Sequence, residues 1–168
     1  MYPRWCWRSR GRAQARRSGL LVAALALWAA AVLAGCTPHP IGPARTLDSY
    51  LAKATTTAAS AQSAVATVHL AAETSGRSNG FGPYLSELIS EQEDGLNGVI
   101  GTFASIQPPD DRAEEIGSQL QEALSRALDH VTAVRVAVRR GQLHDLPHVA
   151  APLAEDIKAL EAFQEEHK

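Results

Sequence analysis

From about residue 45 to residue 165 an apolar side chain recurs every three or four positions, a spacing that puts it on one face of an α-helix and on alternating faces of nothing else. Leu47, Leu51, Ala54, Ala58, Ala61, Val65, Val68 and Ala72 step by four and three and draw one seam along a first helix, roughly residues 45–75. A second seam runs through Leu85, Leu88, Ile89, Leu96, Val99, Phe103 and Ile106, and a third through Ile116, Leu120, Ala123, Ala127, Val131, Val134 and Val138. Leu146, Val149, Leu153, Ile157, Leu160 and Phe163 form a fourth. No segment alternates with period two, so strands are not expected. Four amphipathic helices on short connections each need an apolar stripe covered. The expected fold is all-α, an antiparallel up-down-up-down four-helix bundle over residues 45–168.

The breaks between the seams have their own chemistry. Residues 76–82 read Gly-Arg-Ser-Asn-Gly-Phe-Gly, a loop, and Pro83 suits the first turn of the helix that follows. Pro108-Pro109 ends the second helix. Asp110, Asp111, Glu114 and Glu115 then load the opening of the third with negative charge, which its dipole favours. Arg139-Arg140-Gly141 closes that helix with cations and a glycine just past the end, and Asp145 is placed to cap the fourth.

The first 44 residues follow a different pattern. Six arginines (Arg4, Arg8, Arg10, Arg12, Arg16, Arg17) lie before residue 20, and no acid precedes Asp48. Residues 20–34, LLVAALALWAAAVLA, are an uncharged run of fifteen, the length of an export-signal core and short of the roughly 20 residues that span a bilayer. The run ends in Leu33-Ala34-Gly35-Cys36, which resembles the lipobox of bacterial lipoproteins at every position. That resemblance implies a diacylglycerol thioether on Cys36, cleavage just before it by a type II signal peptidase, and residence on the extracytoplasmic face of the cell membrane. Two acyl chains hold stably, because each buried CH₂ contributes about 0.8 kcal/mol. Arg16-Arg17 also resembles a twin-arginine signal, although Gly19 stands where that motif has a large apolar residue. The expected division is a signal peptide at 1–35, a lipidated cysteine with a Pro-rich tether at 36–44 (Pro38, Pro40 and Pro43 disfavour a helix), and the bundle at 45–168. The bundle also resembles, in layout rather than in any motif, the small Ala-rich four-helix lipoproteins of high-GC Gram-positive bacteria.

Cleavage there changes what composition implies. Of 16 basic residues six are lost, while all 18 acids stay, so the net charge moves from -2 to about -8. Such a chain lacks the basic face that nucleic acid requires. All three tryptophans and Cys6 are removed as well. Cys36 is then the only cysteine, so no intrachain disulfide forms and the domain relies on its packed core.

Residues with catalytic potential are sparse. Gly95, Gly98 and Gly101 fall inside a helical pattern rather than after a strand, so they are no phosphate loop; close packing by a neighbouring helix, or a local irregularity, is the expected role. The carboxylates, Glu87, Glu91 and Asp94 among them, read as a solvated outer face, and no Glu-x-x-His of the di-iron bundles occurs. No serine stands in a nucleophile setting. The histidines offer one geometry. His69 lies six residues before Ser75 at the end of the first helix, and His144 and His148 open the fourth. In an antiparallel bundle the axial offset between His69 and His148 is roughly 5 Å, at 1.5 Å per residue. With Asp145 nearby, such a set would suit zinc or copper. His130 lies a turn or two deeper, and Pro147 works against a shared face for His144 and His148.

The expected function is therefore a membrane-anchored, non-catalytic envelope lipoprotein whose bundle binds a protein partner or serves a structural role. The alternatives are a zinc- or copper-binding lipoprotein using His69, His144 and His148, and a binder of a small apolar ligand between the helices.

Overall fold

A computed structural model describes residues 44–77 and 82–168. The expected export segment, Leu33, Ala34, Gly35 and Cys36 among it, lies outside the described residues. The described residues are helical with no strand. Helix α1 is Leu47–Arg77, α2 is Gly82–Ala104, and α3 is Asp111–Arg139. A 3₁₀ turn, Leu143–Asp145, leads into a short α4, Leu146–Ala150, and then α5, Leu153–Glu166. Four helical arms thus pack together, the fourth made of α4 and α5. None of the described helices is long and apolar enough to cross a membrane.

Local chemistry sets the ends. Asp110 sits in extended backbone ahead of α3 and its carboxylate accepts from the Ala113 amide at 2.8 Å, satisfying a donor that the first turn leaves free. At the other end Gly141 takes a φ of +72°, the left-handed conformation that lets the Gln142 amide reach back to the Ala137 carbonyl at 3.0 Å. In α1 the hydroxyls of Thr55, Thr56, Ser60 and Thr67 turn back onto carbonyls one turn earlier, at 2.8–3.0 Å, so a Ser/Thr-rich helix exposes few competing polar groups.

The fourth arm departs from the single helix expected. Pro152 brings no amide donor, and the chain makes a turn at Ala151-Pro152 before α5 begins. Asp145 belongs to the 3₁₀ turn and makes no side-chain cap. The break leaves Leu146 and Ala150 of α4 and Leu153, Leu160 and Phe163 of α5 all buried, while Val149 and Ile157 are only partly so.

Helix α1 packs on α2, α3, α4 and α5, and α3 packs on α1, α2, α4 and α5, whereas α2 and α5 make no comparable packing with each other. The bundle is therefore flattened, with α1 and α3 close along the short diagonal. Small side chains permit this: Ala54, Ala58, Ala61 and Ala72 of α1 and Ala127 of α3 are wholly buried. The closest approach is at Gly117 of α3. Tyr50 is buried (2% exposed), its ring 5.6 Å from that of Phe103, and its hydroxyl lies directly over Gly117. Burial pushes the Tyr50 phenol above its ordinary range, so it stays neutral there.

A methyl group at Gly117 would overlap that hydroxyl, and the next atom, Cζ, lies 3.2 Å away. Gly117→Ala is expected to lose about 1–2 kcal/mol, overpacking outweighing the roughly 1 kcal/mol that alanine returns in helix propensity. Adding Tyr50→Phe removes the overlapping atom and should recover part of the loss. Urea denaturation of the two variants measures both; no recovery in the double variant would place the strain elsewhere.

Candidate functional site

The three histidines expected to converge are not assembled. His69 is a half-buried side chain near the end of α1, His144 is exposed in the 3₁₀ turn, and His148 is exposed on α4. Among the described residues no group of three or more His, Cys, Asp or Glu side chains is placed to hold a metal ion. The change from 3₁₀ to α-helical backbone between His144 and His148 removes the regular one-turn relation that a common ion would use.

The three glycines of α2 also sit otherwise than expected. A Cβ built on Gly95, Gly98 or Gly101 meets nothing within 4 Å, and α2 runs unbroken through them. They face open space, neither receiving a neighbouring helix nor marking an irregularity. Glu87, Glu91 and Asp94 are exposed, as expected of a solvated face.

Two other carboxylates are buried, and around them lie the polar assemblies of the domain. Asp156, 2% exposed, stands in the first turn of α5, where a helix dipole favours an anion. Arg126 Nε of α3 donates to its Oδ1 at 3.2 Å, and His130 Nδ1 lies 2.6 Å from Oδ2. A carboxylate in this ion pair only accepts, so Nδ1 of His130 carries the proton, and Arg126 and His130 clamp Asp156 from one helical turn apart. On the opposite flank of α3, Thr132 Oγ1 donates to Glu93 Oε1 of α2 at 2.6 Å, and the Arg135 guanidinium is ion-paired with Glu93 Oε2. Glu93 is 9% exposed. A third cross-link, Gln164 Nε2 to Gln62 Oε1 at 2.8 Å, ties the end of α5 to the middle of α1.

Both buried acids occupy seam positions. Glu93 fills the gap between Ile89 and Leu96, and Asp156 stands between Leu153 and Leu160. A charged residue in register with an apolar seam was the signal available for them, and it was masked by the many acids on outer faces. The partners on α3 carried no comparable signal, because Arg126 and His130 flank that seam rather than interrupt it.

What these groups do chemically is brace. Asp156 and Glu93 each bond to donors on α3, in a register that a one-turn slip would break, and the Gln164–Gln62 pair links α5 to α1. No protein family model, characterised protein or solved structure is significantly similar to this chain.

Proposed function

We propose that this protein is a lipid-anchored lipoprotein of the bacterial cell envelope. In this reading Cys36 carries the diacylglycerol, and an up-down-up-down bundle on the extracytoplasmic side acts without catalysis, by binding an envelope protein or as a structural element. The observation that carries the reading is the juxtaposition of the six arginines, the fifteen-residue apolar run and Leu33-Ala34-Gly35-Cys36. Several contacts support the alternating helix directions. Tyr50 near the start of α1 meets Phe103 near the end of α2, and Gly117 near the start of α3. Gly82 at the head of α2 lies beside Leu143 just past α3. The structural role is supported by how the buried acids are engaged, since Asp156 and Glu93 both pair with donors on α3.

The test is expression of the full chain with labelled palmitate. Acyl label on the protein and its recovery in the membrane fraction are expected, and the label should be lost in Cys36→Ala. A parent chain without acyl label, or label that survives Cys36→Ala, would overturn the anchor.

A further inference from the structure

We propose that the anchored protein stands end-on to the lipid, its acidic pole towards the bilayer but held off it, and its opposite pole turned outward. The inference rests on the reading of Cys36 as the anchor. Ala44 is already buried in the core, so the chain is fixed to the bundle from that residue on, at the head of α1. Eight residue steps separate Cys36 from Ala44, a reach of at most roughly 29 Å at about 3.6 Å per residue.

The pole at which Ala44 docks is made by the first turn of α1, the connection after α2 and the first turn of α3, as the Tyr50–Phe103 and Tyr50–Gly117 contacts require. It exposes Asp48, Asp110, Asp111, Glu114 and Glu115 against Arg45 and Arg112. Anionic headgroups repel such a surface within about one Debye length, roughly 8 Å at physiological salt, and the tether is long enough to allow that separation. The outer faces of α2 and α3 offer no better contact, since Glu87, Glu91 and Asp94 of the one and Glu122 and Asp129 of the other are exposed there, whereas that of α1 carries no acid between Asp48 and Glu73.

The outward pole lies about 36 Å away, the rise of the 24 residues from Glu115 to Arg139 at 1.5 Å each. It bears exposed Arg139, Arg140, His144 and His148. Leu70 (66% exposed) and Tyr84 (70%), the large exposed apolar side chains among the described residues, stand towards this same end of α1 and α2.

The test uses the lipidated full chain bound to vesicles carrying an acceptor dye on lipid headgroups, with a donor dye on Glu115→Cys or on His144→Cys. Energy transfer several-fold stronger from position 115 than from 144 is expected. Equal or reversed transfer in vesicle-bound protein would overturn the orientation. Transfer from 115 should also fall when phosphatidylglycerol replaces phosphatidylcholine at low salt, and Asp110→Lys with Asp111→Lys should abolish that fall. Transfer indifferent to lipid charge would overturn the stand-off. Failure of the lipidated protein to float with vesicles at all would instead retire the anchor reading, an outcome separate from either.

Discussion

Replacing Arg126 and His130 together by alanine is expected to destabilise the domain by about 2–3 kcal/mol, lowering its melting temperature by roughly 10 °C. The loss comes from what is left behind. Asp156 is 2% exposed and its two oxygens are met by those two side chains, so the double variant strands a carboxylate that water reaches poorly. The loss stays below the roughly 3–5 kcal/mol typical of wholly buried pairs because Arg126 and His130 are themselves 47% and 33% exposed, and water can follow where they are cut back. Either single replacement should cost less than half as much, because the other donor remains.

Adding Asp156→Leu to the double variant removes the stranded charge and fills its place, and most of the stability should return. Replacing Lys158, whose pair with Glu155 is exposed on both sides (70% and 76%), should change little, within about 0.5 kcal/mol. Denaturant titration of these variants measures the whole series. A double variant as stable as the parent, or no recovery with Asp156→Leu, would mean that the clamp does not hold α5 to α3.

That clamp lies beyond what a one-dimensional apolar period specifies. The helical fold was legible because burial repeats with the helix period: Ala54, Ala58, Ala61, Val65, Val68 and Ala72 of the first seam are all fully buried, and Leu120, Ala127, Val131 and Val134 of the third nearly so. The Asp110 start and the Gly141 stop were legible because caps use a few residue types for local backbone reasons. Contacts between helices were not legible. Nothing along α3 alone says that His130 meets Asp156, 26 residues later, or that Gly117 receives the hydroxyl of Tyr50. Those depend on the angle and rotation of one helix against another, which a one-dimensional period does not specify. The proline at 152 was a visible break within the fourth seam, and the turn there follows from it.

The three glycines of α2 should give the opposite result from Gly117 under the same substitution. Alanine at Gly95, Gly98 and Gly101 together is expected to stabilise the protein by about 1.5–3 kcal/mol, since each exposed mid-helix glycine costs roughly 0.5–1 kcal/mol relative to alanine. No steric term opposes the gain, because a Cβ at any of the three meets nothing within 4 Å. The backbone already holds α-helical geometry through all of them, so the substitution acts by narrowing the unfolded chain rather than by adding a contact. The melting temperature should rise by roughly 10 °C, with each single variant contributing about a third. A loss of stability in any of the three would mean that its face is covered in the folded protein. Gly117 lies under an aromatic hydroxyl on the inner face of α3 and these three lie on the open face of α2, so identical changes in composition should move stability in opposite directions.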